Sequence, residues 1–94
     1  MNIEEIIREN QGTILDVRTY EEFQGGNVAG SVNIPIMEVQ MRLDEIKNLK
    51  PPLVICCATG GRSLAVYNYL SQMGIDCVNA GTWLNVNYYQ SLTA

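Results

Sequence analysis

Short runs of hydrophobic residues alternate along the chain with stretches that contain glycine, proline and charged side chains. Four of these runs are compact enough to be buried strands: 13–17, 31–34, 53–56 and 77–80. The third run is apolar throughout, which indicates a strand that is covered on both faces. Between the runs, apolar positions recur at helical spacings of three and four. Strands that alternate with helices predict an α/β fold, with a mostly parallel central β-sheet flanked by helices on both faces.

Capping residues indicate where the first two helices begin and end. Asn2 can accept hydrogen bonds from the free N–H groups of a helix that ends near Gly12. Thr19 and Glu22 have the S/T-x-x-E spacing of a capping box. A second helix is therefore expected to start at Thr19 and to stop at the Gly25–Gly26 pair.

Three more helices are expected further along the chain. Val39, Leu43 and Ile46 line one face of a single helix that stops before a proline pair. A fourth helix follows the third strand and ends at Gly74, which suits a C-terminal cap. The last helix is expected to begin near Thr82.

Length and charge restrict the classes of partner. The 94 residues suffice for one small domain, which we expect to span residues 1–94. Six Lys and Arg against ten Asp and Glu give a net charge of −4, so there is no basic surface for nucleic acid or an anionic membrane. The acidic N-terminus is no signal peptide, and no apolar run approaches the roughly 18 residues of a membrane span. We expect a cytoplasmic monomer.

The chain has three cysteines and no histidine. The missing histidine excludes a Ser-His-Asp triad, a Cys-His pair, an HExxH site and a Cys₂His₂ zinc site. Three cysteines confined to the second half of the chain do not suit a disulfide framework, so a reducing compartment is expected. Any reactive cysteine must therefore be activated without an imidazole.

The segment that carries candidate chemistry runs from Cys56 to Ser63, between a buried strand and an amphipathic helix. Ligands bind to open α/β sheets at such strand-to-helix loops. Gly60 and Gly61 allow successive N–H groups to point inward and form an anion-binding nest at a helix N-terminus. Together with Arg62, this nest could lower the pKa of a cysteine thiol.

Both cysteines of the loop are in register with a motif. Counted from Cys56, the segment reads C-x5-R-S, as in cysteine-dependent phosphatases, and Arg62 would bind a phosphoryl group. Counted from Cys57, it reads C-x-x-G-x-R. If the strand ends at Cys56, Cys57 is the first loop residue and the two side chains point to opposite faces. This favours Cys57, and none of the three aspartates lies in a Trp-Pro-Asp loop that could supply a phosphatase with its acid.

Four segments together resemble the rhodanese-like sulfurtransferase domains of the compact, single-domain type. They read Leu-Asp-Val-Arg at 15–18 with Glu-Phe at 22–23, a Gly-x-x-x-Gly-Ser-x-Asn-Ile-Pro segment at 26–35, Cys-Ala-Thr-Gly-Gly-Arg-Ser at 57–63, and Asn-Ala-Gly at 79–81 followed by Trp83. The resemblance covers nearly the whole chain, in order, and implies a rhodanese-like fold.

The resemblance also implies a mechanism. The Cys57 thiolate would take a sulfane sulfur from thiosulfate or from a small-molecule or protein persulfide, and pass it to a thiol or to cyanide. No cofactor and no metal would be needed. The loop counted from Cys57 has the length of the sulfurtransferases, one residue shorter than that of their phosphatase relatives. The residues that would cradle the anion are Ala58, Thr59, Gly60, Gly61, Arg62 and Ser63.

Two departures from the family pattern bear on the substrate. Ala58 stands where many thiosulfate-using members carry Arg or Lys, so a positive charge that would help to hold a dianion is missing. Thiosulfate is then expected to be a poor donor, and a persulfide is preferred. Ala58 also leaves open a low-turnover sulfur carrier or regulatory binding module, beside a phosphatase or arsenate reductase that uses Cys56. Asn27 replaces a common histidine at a structural position.

The remaining conspicuous residues are interpreted as structural. Asp16, Arg18 and Glu22 are expected to support the sheet and loops, with Glu22 paired to Arg18. Cys56 and Cys77 lie inside apolar runs and are interpreted as buried and inert. A core position is also expected for Trp83.

Overall fold

Four parallel strands form the central sheet of the computed structural model, which describes residues 2–92. Their order in the sheet is β2-β1-β3-β4, and each neighbouring pair is parallel. The expected parallel α/β architecture is therefore confirmed. The strands are β1 Thr13–Asp16, β2 Val32–Asn33, β3 Leu53–Cys57 and β4 Cys77–Thr82.

Five α-helices and one short 3₁₀ helix surround the sheet within the described residues. Apolar side chains of α1 and α5 pack on one face of the sheet, and those of α3 and α4 pack on the other. None of the helices in residues 2–92 is long and apolar enough to cross a membrane. The helices are α1 Ile3–Arg8, α2 Tyr20–Gly25, α3 Leu43–Lys47, α4 Gly61–Gln72 and α5 Trp83–Ser91, with the 3₁₀ helix at Ile36–Glu38.

Strand β3 is buried along its whole length because helices cover both faces of the sheet. Its residues alternate between two hydrophobic clusters, as the pleat of a strand requires. Ile55 and Cys57 belong to the cluster beneath α3 and α4, whereas Val54 and Cys56 belong to the cluster beneath α1 and α5. The two adjacent cysteines therefore point to opposite faces, as the sequence predicted.

The helix caps also follow the sequence. The Asn2 side chain accepts a hydrogen bond from the Glu5 N–H at 2.8 Å and caps α1. Thr19 and Glu22 form a complete capping box at the start of α2. Thr82 caps α5 through its hydroxyl oxygen. These caps depend on contacts within three residues, which a sequence pattern specifies directly.

The expected single helix around Val39 and Leu43 is wrong. The 3₁₀ helix ends at Glu38, turns follow, and α3 begins only at Leu43. Arg42, just before α3, has φ −104° and ψ 24°, which lies outside the helical region and interrupts the helix. Val39 and Ile46 are nevertheless buried in the same cluster, so their spacing reflects burial on one face and not an unbroken helix.

Strand β3 is one residue longer than expected. Cys57 was predicted to be the first loop residue, but it is the last residue of β3 and pairs with Thr82 of β4. The extra pairing arises because β4 runs to Thr82 instead of ending at Ala80. Cys57 is therefore a core residue of β3, and its sulfur faces the loop that follows.

Candidate active site

The carboxyl ends of the four parallel strands meet at one edge of the sheet, here called the carboxyl edge. β1 is followed there by Thr19 at the cap of α2, β2 by Pro35, β3 by the loop 58–60 and β4 by Trp83. Loops and helix N-termini converge on this edge, so open α/β sheets bind ligands there. The cysteine loop thus occupies the position where a ligand site is expected.

Two backbone N–H groups hold the sulfur of Cys57. The Gly60 N–H donates to Sγ at 2.9 Å, and the Ser63 N–H donates at 3.3 Å. Gly60 has a φ of 103°, a left-handed conformation that glycine adopts easily. Because both residues lie at the N-terminus of α4, the positive end of the helix dipole also faces the sulfur. This arrangement favours a negative charge on Sγ.

The pKa of the Cys57 thiol reflects two opposing effects. Burial raises the pKa, because the thiolate loses its hydration. Hydrogen bonds from Ser63, Gly60 and Thr59 lower it, and their combined effect is larger, so that the pKa lies below its ordinary value of 9.0. Cys57 can therefore carry thiolate character without a general base.

The other residues of the predicted anion cradle surround this sulfur at different depths. Ala58 is half-buried, whereas Thr59 and Gly61 are exposed at the carboxyl edge. Ser63 is fully buried, and its hydroxyl donates to the Gly60 carbonyl at 3.0 Å. The Ser63 side chain thereby fixes the turn that presents the Gly60 N–H to the sulfur.

Cys56 has a different environment. Its side chain is fully buried in the cluster beneath α1 and α5. Burial, with a smaller contribution from the Asp16 carboxylate, raises the pKa of this thiol to about 12. A nucleophilic Cys56, as the phosphatase interpretation requires, would need a thiolate at this position. The surroundings favour the neutral thiol instead.

Arg62 forms a two-pronged ion pair with Glu22. The Nη1–Oε1 distance is 2.7 Å and the Nη2–Oε2 distance is 2.9 Å. Arg62, followed by the hydrogen bonds from Thr19, lowers the pKa of the Glu22 carboxyl to about 2. The expected pairing of Glu22 with Arg18 is wrong, because the capping box directs the Glu22 side chain toward the start of α4; only the Glu22 carbonyl accepts a bond from Arg18.

Arg18 instead pairs with Asp16 in the interior. Its Nε and Nη2 donate to the Asp16 carboxylate at 3.0 and 2.7 Å, and both side chains are almost fully buried. Nη2 also donates to the Gly26 carbonyl at 2.7 Å, while the guanidinium lies 4.6 Å from the centre of the Trp83 ring. Arg18 therefore connects the ends of β1 and α2 with the start of α5.

Sequence reasoning assigned no role to two further residues at this edge. Gly81 has a φ of 79°, and the pairing of β4 with β3 shifts there, between Asn79 and Gly81. A glycine inside a strand pattern is the signal for such a bulge. Asn33 donates through Nδ2 to the carbonyls of Asp16 and Arg18, at 3.0 Å each, and no local pattern marks this long-range contact.

Comparison with known proteins identifies the family. The model of the rhodanese-like domain matches residues 2–84. The chain belongs to the rhodanese-like domain family. The resemblance found in the sequence is thereby confirmed, and so is the rhodanese fold class.

Individual proteins are similar to this chain in structure or in sequence. A crystal structure of a rhodanese-related protein from Thermoplasma volcanium has a TM-score of 0.75 and 30% identity, and covers 93% of this chain and 85% of that one. The thiosulfate sulfurtransferase PspE of Escherichia coli is 35% identical over 69 residues, which are 71% of this chain and 66% of PspE. The Putative sulfur carrier protein YrkF of Bacillus subtilis is 36% identical over 65 residues, which are 69% of this chain and 35% of YrkF.

Several curated relatives are longer than this chain. The chain spans 20% to 35% of the length of four of the curated relatives that it matches. Family membership supports sulfur transfer or sulfur carriage as the general activity.

Proposed function

We propose that this chain is a sulfurtransferase that carries sulfur on Cys57 as a persulfide. The observation that carries the proposal is the pair of N–H groups, from Gly60 and Ser63, on the Cys57 sulfur. These groups stabilise a thiolate in a chain that has no histidine. The same N–H groups and the start of α4 suit the negative charge of a persulfide.

The reaction proceeds in two displacement steps on sulfur. The Cys57 thiolate attacks the outer sulfur of the donor, an S–S bond forms, and the donor's own S–S bond breaks. Its electron pair leaves with the donor, as a thiolate from a persulfide or as sulfite from thiosulfate. An acceptor thiolate or cyanide then attacks the outer sulfur of the Cys57 persulfide, and the Cys57 thiolate is regenerated.

The charges around the loop favour a persulfide donor over thiosulfate. Arg62 is the cation of the anion cradle, and both of its terminal nitrogens are already bound to the Glu22 carboxylate. Ala58 adds no charge. Thiosulfate is a dianion and would find no uncompensated positive charge in the cradle, whereas a persulfide brings a single charge. We propose that thiosulfate transfer to cyanide is therefore slow.

A sulfur-carrier role is the second candidate, and the burial of Cys57 favours it. Its side chain has no exposed surface, which limits the approach of small donors and acceptors alike and suits low turnover. Similarity to YrkF agrees with this alternative.

Intact-protein mass spectrometry tests the proposal. Wild type, Cys57→Ser and Cys56→Ser are incubated with glutathione persulfide or with thiosulfate. Wild type and Cys56→Ser are expected to gain one sulfur atom, faster from the persulfide, while Cys57→Ser gains none. Loss of the adduct in Cys56→Ser alone would refute the assignment to Cys57. Subsequent addition of cyanide or a thiol separates an enzyme, which discharges repeatedly, from a carrier.

The proposal also covers the cellular compartment and the oligomeric state of the domain. All three cysteines are free thiols, which suits the reducing cytoplasm. We propose that residues 1–94 act as one monomeric domain. Size-exclusion chromatography with light scattering checks the monomer, since a dimer would appear at twice the mass.

A further inference from the structure

An exposed apolar groove lies at the carboxyl edge, outside the cysteine loop. Its volume is about 320 Å³. Met37 and Met41 are 88% and 80% exposed, and Tyr20 beside them is 46% exposed. Large apolar side chains gathered in this way often mark a surface that binds another molecule. The lining residues, which define the Met37 groove, are Thr19, Tyr20, Glu21, Pro35, Met37, Glu38 and Met41.

The fold places the Met37 groove beside the cysteine loop. Thr19 follows the end of β1 and Pro35 follows the end of β2, so both lie at the edge where β3 delivers Cys57. The N–H and hydroxyl of Thr19 bond to the Glu22 carboxylate at 3.0 and 3.2 Å. That same carboxylate holds Arg62, which lies in the first turn of α4. A single side chain thus connects the groove with the cradle of the reactive sulfur.

The groove has an acidic border. Glu21 forms no ion pair within residues 2–92. Glu38 accepts hydrogen bonds from the Tyr20 hydroxyl at 2.6 Å and from Arg42 at 3.1 Å. Arg42 is also bound to Glu45, at 2.7 Å. The arginine near the groove is therefore compensated, and the border keeps a negative excess.

The two lysines of the chain lie at the opposite edge of the sheet. Lys47 lines a separate cavity with Leu53 and Asp76, at the amino ends of β3 and β4. The Lys50 carbonyl accepts a hydrogen bond from Thr13, the first residue of β1. Both lysines thus lie away from the Met37 groove, and Arg42 beside it is bound to Glu38 and Glu45, so the groove complements a basic partner.

We propose that the Met37 groove docks the protein that exchanges sulfur with Cys57, through an apolar side chain flanked by Lys or Arg. The inference rests on the proposed function and specifies its partner. Methionine side chains are flexible and unbranched, so they adapt to an apolar side chain inserted between them. The acidic border selects the flanking cations, and the adjacent loop then meets a cysteine carried on the same segment.

Sulfur transfer in this complex needs no additional reactant. The Cys57 thiolate attacks the terminal sulfur of the partner's cysteine persulfide and forms a new S–S bond. The S–S bond within the partner breaks, and its electron pair leaves as the partner's cysteine thiolate. Transfer in the opposite direction reverses both changes.

The test compares three donors of known chemistry. Two synthetic peptides of equal length carry a cysteine persulfide next to a leucine, one with flanking lysines and the other with flanking glutamates; glutathione persulfide is the third donor. The rate of sulfur addition to Cys57 is followed by intact mass after rapid quenching. Wild type is expected to load from the lysine peptide about tenfold faster than from the glutamate peptide, and added salt should reduce this ratio.

Variants of the Met37 groove then test whether the preference for the lysine peptide arises at this groove. In Met37→Ser/Met41→Ser, the rate with the lysine peptide relative to glutathione persulfide is expected to fall about fivefold. Glu21→Gln should reduce the lysine-to-glutamate ratio by about twofold. Met73→Ser is the matched control, because Met73 is 47% exposed but follows α4 at its far end; it should keep the wild-type ratios.

The outcomes separate the two proposals. Loading that proceeds with unchanged donor ratios in Met37→Ser/Met41→Ser would overturn the docking surface while leaving the sulfurtransferase intact. An equal slowing with all three donors would also overturn it, since this would indicate a disturbed loop. Failure of every donor to load wild type would overturn the proposed function together with the docking role that rests on it.

Discussion

Cys56 and Cys57 are consecutive residues of β3, both fully buried, yet their thiols have opposite properties. The Cys57 sulfur faces the start of α4 and accepts two N–H groups, and its pKa is lowered. Cys56 lies among apolar side chains near Asp16, and its pKa is raised to about 12. Neither thiol is exposed, but burial dominates the pKa of Cys56, whereas the hydrogen-bond donors outweigh burial at Cys57. We therefore expect the start of α4, and not exposure, to decide which of the two thiols is reactive.

The largest expected effect comes from the glycine that presents its N–H to Cys57. Gly60→Ala forces a side chain into a φ of 103° and should move the N–H away from the sulfur. We expect sulfur loading from glutathione persulfide at pH 7 to slow by about a hundredfold. Time courses by intact mass measure this, with Gly25→Ala as control, since open space surrounds Gly25. If Gly60→Ala loads sulfur at the wild-type rate, the N–H groups are not the cause of the difference between the two cysteines.

Ser63→Ala should also reduce the difference between the Cys56 and Cys57 thiols, but less than Gly60→Ala does. The Ser63 side chain fixes the Gly60 carbonyl and contributes to lowering the pKa of Cys57. Its removal should raise that pKa toward 9.0, so that less thiolate is present at pH 7. We expect about tenfold slower loading at pH 7 and recovery of the rate at alkaline pH. Ser71→Ala is the control, and a pH–rate profile identical to wild type would contradict the expectation.

Glu22→Gln tests how much the ion pair between Glu22 and Arg62, near Cys57, adds to the free energy of unfolding. The folded Glu22 has a pKa of about 2, below its ordinary 4.5, so its ion pair adds stability above about pH 4.5 and loses it as the pH falls toward 2. Because both side chains are about one-third exposed, the loss at pH 7 should stay below about 1 kcal/mol. Urea unfolding of wild type and variant should therefore differ at pH 7 and converge at low pH.

Glu21→Gln is the matched control for this measurement, because Glu21 is exposed and adjacent but forms no ion pair among the described residues. A difference between wild type and Glu22→Gln that persists unchanged at pH 2 would argue against the ion pair as its source.

The smallest effect on sulfur loading is expected from a substitution of Cys56, the other cysteine of the pair. Cys56→Ala removes only a buried thiol from the cluster beneath α1 and α5. Sulfur loading should remain within about twofold of wild type, while the small cavity lowers the free energy of unfolding by about 1 kcal/mol. Loading kinetics and urea unfolding check the two effects separately. A large loss of loading would show that Cys56 takes part in the chemistry.

Local contacts explain which parts of the fold could be predicted from the sequence. The capping box of Thr19 and Glu22 spans three residues, and the alternation along β3 is a property of one strand. Both were predicted correctly for this reason. The end of β3 was misplaced by one residue, because Cys57 stays in the strand through its pairing with Thr82, 25 positions away in the chain.

The candidate site shows the same difference between local contacts, which could be predicted, and long-range contacts, which could not. Gly60, Gly61 and Arg62 were recognisable because they follow Cys57 within five positions of the sequence. The Glu22–Arg62 pair joins positions 40 residues apart, and no local spacing distinguishes it from the expected Glu22–Arg18 pair. Similarly, the hydrophobic pattern could not distinguish the exposed Met37 from buried apolar neighbours such as Ile34, since exposure depends on which helices cover a residue.

The stacking of Arg18 on Trp83 gives this domain a built-in optical reporter. Trp83 is the single tryptophan of the chain, and the Arg18 guanidinium carbon lies 4.6 Å from the centre of its ring. Indole emission depends on its immediate surroundings, so tryptophan fluorescence, excited at a wavelength that the five tyrosines do not absorb, comes from one position at the carboxyl edge. Any event that shifts the Asp16–Arg18 pair would change that emission and could be followed in real time without an attached dye.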